Sequence, residues 1–286
     1  MLPLPTDEAR PRRIAGRLLL GRADASAETG AGHVARIASL LGAWTREGGR
    51  AVLASRALPE FWSRRLAALG VDVAEAPASF QELARDAVER GAAAACVDGY
   101  GFSQDDVRTL ARSLPVVRID DDVDGADVPA DVLVEANLGA EARVQVPDGT
   151  GARVLAGAAY ALLRPEFDDL PPRAPDAGSR VLVTFGSSDP ARVTVRCAEA
   201  LVRRRPSGGR VAVVAGPSMH PADRAALEEL ESAGEVELMR GVADMATALR
   251  SARVGVTAAG TTILELLATG CVPLSVRVAD NQDVSG

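Results

Sequence analysis

The sequence predicts an α/β protein of two parallel-sheet domains in tandem, facing each other across a cleft. Three observations lead there. Short β-like runs alternate with helical patterns from the start of "RLLLG" onward. The rhythm falters over residues 120–180 and then restarts. No apolar run is long enough to cross a bilayer, so the apolar segments belong to a core. Strand, helix, strand in this order means parallel βαβ units.

The first domain is expected over residues 14–166. Its opening strand feeds "HVARIASLLGAWTREGG", where Val34, Ile37, Leu40 and Leu41 recur at three- and four-residue steps, a helical period. "AVLAS", "VDVAEA", "AAACVDGYG" and "VVRID" read as strands. "PEFWSRRLAALG", "FQELARDAVERG" and "SQDDVRTLARS" read as the helices between them, the last capped by Ser103. Residues 131–137, "DVLVEAN", read as a sixth strand. Residues 151–180 are rich in Pro and Ala and read as irregular, with the domain boundary near residues 167–180.

The second domain is expected over residues 180–286. "RVLVTF", "RVAVVAG", "VELMRGV", "VGVTAAG" and "VPLSVRV" are its strands. "ARVTVRCAEALVRRR", "PADRAALEELESAG", "ADMATALRSA" and "TTILELLATG" are its helices. The chain ends after a strand and a loop. A complete domain of this kind carries at least one more helix, so the second domain is expected to be truncated.

Composition narrows the chemistry. Aromatics make up 3% of the 286 residues, so the core must come from Ala, Val and Leu. The net charge of −7 argues against a broad nucleic-acid surface. All 32 basic residues are arginine. No lysine is present to act as base, Schiff-base former or phosphate clamp. Cys96, Cys197 and Cys271 are scattered without C-x-x-C spacing, as reduced thiols are. The N-terminal residues lack a signal peptide's order, and a cytoplasmic location is expected. Residues 120–127, "DDDVDGAD", lack EF-hand spacing and read as a solvated acidic loop. His220 matches no motif and reads as an exposed loop residue.

Ligands of open parallel sheets sit outside the strand C-terminal ends. Gly30, Gly32 and His33 occupy such a position, between the first strand and the first helix. A helix start offers unpaired N–H groups, and imidazole titrates near neutral pH, which suits a general base. Spacing alone leaves two readings of His33: catalytic base or helix-start residue. Asp98 and Tyr100 end another strand. Tyr100 reads either as a packing residue or as a hydrogen-bonding group at the cleft edge, whereas Asp98 reads as a strand-end residue that orients the turn. Gly186, Ser187 and Ser188 follow the first strand of the second domain, where an ordinary turn with Asp189 capping the next helix is the competing reading. Ala259, Gly260, Thr261 and Thr262 open a helix with small and hydroxyl residues, and Glu265 lies one turn in.

Residues 22–36, "RADASAETGAGHVAR", resemble the opening signature of the PseG/SpsG family, typified by the UDP-2,4-diacetamido-2,4,6-trideoxy-β-L-altropyranose hydrolase of pseudaminic acid synthesis. Its pattern is R-x-D-x-S-x-x-x-G-x-G-H-x-x-R, matched by Arg22, Asp24, Ser26, Gly30, Gly32, His33 and Arg36. "VDGYG" resembles the family's D-H-Y-G turn, with Gly99 where His is usual. "DVLVEANLGA" resembles a segment ending in N-L-G, and "YALLRPEF" resembles the linker signature. "VTFGSSDP" resembles V-T-F-G-G-S-D-P, with Ser187 for the second glycine. "AAGTTILELLATGCVPLSVRVADNQ" resembles the nucleotide-binding signature shared with MurG-type glycosyltransferases.

The resemblance implies a GT-B-like fold and a UDP-sugar substrate, with no cofactor or metal; net charge and the short apolar runs already argue against nucleic acid and a membrane span as partners. It implies that His33 activates water to displace UDP from the anomeric carbon with inversion. Arg22, Asp24, Gly30, Gly32, Arg36 and Tyr100 would then meet the sugar side. Gly186, Ser187, Ser188, Ala259, Gly260, Thr261, Thr262, Glu265, Asn281 and Gln282 would meet the nucleotide, with Glu265 accepting from the ribose hydroxyls. Two other readings stay open: a GT-B glycosyltransferase with a polysaccharide or lipid acceptor, and a nucleotide-sugar binding protein without turnover.

Overall fold

The computed structural model describes residues 14–26, 30–121, 128–144, 151–173, 178–205 and 209–278. The first sheet holds β1 (Leu18–Arg22), β2 (Arg50–Ser55), β3 (Asp72–Glu75), β4 (Ala92–Asp98), β5 (Val116–Ile119), β6 (Val132–Glu135) and β7 (Arg153–Ala156). Their spatial order is β3-β2-β1-β4-β5-β6-β7, and every pairing is parallel. Helices α1 (Gly32–Arg46), α2 (Glu60–Ala68), α3 (Phe80–Glu89), α4 (Gln104–Ala111) and α5 (Ala140–Arg143) belong to this half.

The second sheet holds β8 (Arg180–Val183), β9 (Arg210–Ala215), β10 (Glu237–Arg240), β11 (Ala252–Ala258) and β12 (Val272–Val276). Its order, β10-β9-β8-β11-β12, repeats the crossover of the first sheet, again all parallel. Between and beside these strands run α6 (Thr194–Arg204), α7 (Pro221–Ser232), α8 (Met245–Arg250) and α9 (Thr261–Ala268). The linker carries two short 3-10 turns, Ala158–Tyr160 and Pro165–Phe167.

Period-two alternation explains the layering. Successive strand side chains point to opposite faces, so a strand covered on both sides is apolar throughout. Leu19 of β1 packs with Ile37 and Leu41 of α1 and with Trp62 and Leu66 of α2. Leu18 and Leu20 point the other way, to Leu83 and Ala87 of α3 and Val107 and Leu110 of α4. In the second sheet Val183 meets Ala198 of α6 and Leu227 of α7, while Leu182 meets Leu249 of α8 and Leu266 of α9. Phe167 of the linker is buried in that last cluster and pins the linker to the second domain.

The elements expected from the pattern are present, with two differences. Residues 151–180 are not wholly irregular, because Arg153–Ala156 pairs with β6 as a seventh strand. Strand β6 covers Val132–Glu135, shorter than the expected residues 131–137, and the chain after it turns into the one-turn helix α5. Ser103 does cap α4, as half of a reciprocal capping box with Asp106; Ser79 and Glu82 do the same for α3.

Candidate active site

Both sheets reverse strand order at their centres, at β1 beside β4 and at β8 beside β11. Crossovers leave such a point in opposite directions, and a crevice opens at the strand C-terminal ends. Every site residue expected from the sequence that the structure describes follows or ends one of these four strands, or lies in the helix next along.

After β1 the chain closes an antiparallel bridge between Ser26 and Gly30, with Gly30 N–H donating to Ser26 O at 3.0 Å. Gly30 takes φ +74°, a left-handed conformation natural to glycine. Helix α1 then starts at Gly32 with no side-chain cap, unlike α3 and α4. Its first turn carries His33, 7% exposed.

Asp98, at the end of β4 and 1% exposed, is the hub of the site. Its Oδ1 lies 2.6 Å from His33 Nδ1. Arg36, one turn along α1, donates Nε to Asp98 Oδ2 at 2.7 Å and Nη2 to Oδ1 at 2.8 Å. A carboxylate only accepts, so Nδ1 carries a proton, and in the neutral ring the lone pair falls on Nε2. Nε2 makes no hydrogen bond among the described residues. The 3.1 Å approach of Arg36 Nη2 to Nδ1 is then a contact of two donors that share Asp98.

Arg36 also donates Nη1 to Asp121, just beyond β5. Burial disfavours its charge, but Asp98 and Asp121 outweigh burial and hold the guanidinium protonated well above its usual range. Burial would likewise raise Asp121, yet Arg36 outweighs it and holds the carboxyl below its ordinary value. Asp121 further accepts from Tyr100 Oη at 3.1 Å and from Asn137 Nδ2 at 3.0 Å. The Tyr100 ring stands edge-on to His33, with centroids 4.4 Å apart. The Tyr100 residue is 61% exposed, but desolvation on the side of its hydroxyl, with Asp121 adding to it, pushes the phenol up, so it stays a donor.

Arg22 and Asp24 are joined to each other at 2.6 and 2.7 Å. Asp24 also accepts from Arg56 N at 2.7 Å and Ser55 Oγ at 3.1 Å, which ties the loop after β1 to the loop after β2. The Arg22 guanidinium lies over the Phe102 ring, 4.7 Å from its centroid. Phe102 explains Gly99. A Cβ at Gly99 would come 2.7 Å from Phe102 Cε2, so the ring occupies the space an imidazole at that position would need.

In the second domain Gly186 takes φ +83° while Ser187 is not left-handed, so the serine fits this turn without backbone strain. Ser188 is 6% exposed, and its Oγ is buried with no hydrogen-bond partner. It faces the first domain: a Cβ on Gly30 would be 3.9 Å from Ser188 Oγ. The Asp189 carboxylate accepts from Val193 N and Thr194 N at 3.1 and 2.8 Å and so caps the start of α6. Helix α9 begins after Gly260 with no side-chain cap and no acidic residue in its first turn. Ala259 is buried there, and Thr261 and Thr262 are half-buried. Glu265, 6% exposed, is bonded to Arg164 of the linker. Asn281 and Gln282 lie outside the described residues.

Two members of the site were missed in the sequence. Asp98 does more than end a strand, and Asp121 departs from the expected solvated acidic loop, whose residues 122–127 lie outside the described residues. Asp121 is instead held by three donors, and its neighbour Asp120 pairs with Arg118. His220 is exposed as expected, and its Nδ1 accepts from Ala222 N at the start of α7. A surface groove of about 650 Å³ between α3 and α4, lined by Ala84, Arg85, Val88 and Arg112, shares no residue with the crevices. Among the described residues no cluster of His, Cys, Asp and Glu is arranged to hold a metal, and no helix is long and apolar enough to cross a membrane.

No family model matches this chain, and no curated protein matches it. Solved structures do. Acinetobacter baumannii MurG is 14% identical, with a TM-score of 0.55 over 94% of this chain and 82% of that one. Phytolacca americana UGT2, solved with UDP-2fluoro-glucose and pterostilbene, is 12% identical, with a TM-score of 0.59 over 96% and 83%. Anabaena Alr3699/HepE, solved with UDP, is 12% identical, with a TM-score of 0.53 over 91% and 80%. With two parallel sheets of seven and five strands, the chain has a GT-B-like fold.

Proposed function

We propose that the protein is a nucleotide-sugar hydrolase of the PseG type, which releases UDP from a UDP-2,4-diacetamido-trideoxyhexose. The observation that carries this reading is the His33–Asp98 pair, with Nε2 left as the only basic nitrogen of the ring. Asp98 fixes the tautomer and balances the imidazolium that forms, as the carboxylate of an acid–base pair does. Water attacks the anomeric carbon from the face opposite the leaving group and gives a proton to Nε2. The bond from that carbon to the β-phosphate oxygen breaks, and UDP leaves with the electron pair.

Charge then builds on the diphosphate. Ser188 Oγ, a buried hydroxyl lacking a partner, and the uncapped N-terminus of α9 are suited to meet it. Glu265 is assigned to the ribose hydroxyls on the strength of the MurG-type signature around it. Support from outside the chain comes from the UDP-sugar and UDP complexes of UGT2 and HepE, which share this architecture.

The test is incubation with a UDP-2,4-diacetamido sugar, with His33→Ala as control. Absence of UDP release by the unsubstituted protein would sink the hydrolase reading. A second reading, transfer to a sugar or lipid hydroxyl, is favoured by Phe102 standing where an imidazole is usual. It requires that UDP appear only when an acceptor is added. Tight UDP binding with neither outcome would mark a binding protein.

A further inference from the structure

The linker stretch "RPEF", residues 164–167, takes no part in the chemistry above, yet each of its charged side chains has a defined partner. Arg164 Nε donates to Glu265 Oε1 at 2.8 Å, and Nη2 lies 2.8 Å from the same oxygen. Glu166 accepts from Arg65 Nη2 of α2 through both oxygens, 2.7 Å each, and lies 3.4 Å from Arg164 Nη1. Arg65, Glu166, Arg164 and Glu265 therefore alternate in sign along a line from the first domain to the second. Phe167, buried beneath, lies 5.4 Å from the Arg164 guanidinium and anchors it.

Glu265 sits where a carboxylate needs help. It is 6% exposed, and a buried anion without a cation is strongly unfavourable. Burial pushes its carboxyl up, Arg164 opposes that rise, Glu166 adds to it, and Arg65 opposes it from farther off. Asp244, at the start of α8, also feels the Arg164 charge. Both guanidinium contacts fall on Oε1, so Oε2 makes no bond among the described residues.

We infer that Arg164 is a positioning residue for the nucleotide end of the cleft: it grips Glu265 by Oε1 and so presents Oε2 to the vicinal diol of a ribose. This rests on the proposed reading of Glu265. Arg164 itself does not touch the nucleotide, and the Glu166–Arg65 pair keeps it from turning away.

The test is titration calorimetry with UDP on the whole protein at a series of pH values. Each variant is compared with the unsubstituted protein at the same pH, so the nucleotide's own titration cancels. Arg164→Met is expected to weaken UDP about tenfold near pH 6.5. The gap should narrow as the pH is raised further, as the unsupported Glu265 regains its charge. Arg164→Lys should restore most of the affinity, because it returns a cation. Glu265→Gln should weaken UDP at every pH, and adding Arg164→Met to it should cost nothing more.

An Arg164→Met protein that binds like the unsubstituted one, beside a weakened Glu265→Gln, overturns the inference and leaves the ribose reading standing. A Glu265→Gln protein with full affinity overturns the ribose reading itself. Additive losses in the double variant overturn the inference by placing Arg164 on the nucleotide directly. Thermal unfolding of each variant shows whether it folds. Should Arg164→Met fail, Arg164→Gln carries the same comparison, and a loss that does not vary with pH overturns the inference.

Discussion

His33 Nδ1 lies 2.6 Å from Asp98 Oδ1, although the two residues are 65 positions apart in the chain. The first opens helix α1 and the second ends strand β4, and the parallel sheet sets β1 and β4 side by side. The pair is thus a product of topology, and it leaves one imidazole nitrogen able to take a proton.

Asp98→Asn is expected to lower kcat for UDP-sugar turnover by at least about a hundredfold, with a smaller change in KM. An asparagine amide at this position can donate to Nδ1 and force the proton onto Nε2. His33→Ala should cost at least as much. Steady-state UDP release measures both. A His33→Ala protein with unchanged kcat would remove the imidazole from the mechanism.

Arg36→Met should destabilise the fold by about 3–5 kcal/mol, because it leaves Asp98 and Asp121 buried without their shared cation. Urea unfolding at neutral pH measures this. A loss well below 1 kcal/mol would mean that water or another cation already compensates the two carboxylates.

Asp121 ties the same network to pH. Its native carboxyl is held below the ordinary 3.8, with burial opposing and Arg36 prevailing. Its stabilising contribution is therefore complete above the unfolded value and disappears as the pH falls through the native one. Compared with Asp121→Asn, the unsubstituted protein should be more stable at neutral pH, and the difference should shrink below about pH 4. A difference that widens with acid would reverse the sign of the argument.

Ser188→Ala should leave thermal stability almost unchanged, since the hydroxyl has no hydrogen bond to lose. UDP affinity should fall by about 1 kcal/mol, close to fivefold, in calorimetric titration. A fall in unfolding temperature with no change in UDP affinity would assign Ser188 to the fold alone.

Gly99→Ala should cost about 1–3 kcal/mol, because the new methyl meets the Phe102 ring. Phe102→Leu should relieve most of that cost. Chemical denaturation of the two single variants and the double variant gives the coupling, and additive losses would show that the contact with Phe102 is not the cause.

The repeated βαβ order was legible because buried parallel strands carry unbroken apolar runs such as "LLLG" and "VAVVA" and the intervening helices keep a helical period. Strand β7 was not, since its four residues lie in a Pro- and Ala-rich tract and become a strand only by pairing with β6. His33 and the glycines stood out locally. Asp98 and Asp121 did not, because an aspartate after a strand looks the same whether it meets water or a buried arginine. What distinguishes them is Arg36, and its reach to both is set by helix α1 lying across β1 and β4. The linker arginine was visible as part of a motif, but its partner Glu265, 101 residues away, is a fact of tertiary structure.

The cations of the dyad frame and of the linker ladder are Arg36, Arg65 and Arg164, and the sequence holds no ammonium side chain. A guanidinium does not discharge at any pH the fold survives, whereas an ammonium would begin to do so near 10. Mild base therefore leaves the sign of this scaffold unchanged, and burial pushes the three thiols and the Tyr100 phenol up as well. Acylating reagents that seek lysine side chains pass both networks by, and a dicarbonyl that seeks guanidinium groups meets Arg36, Arg65 and Arg164 largely buried.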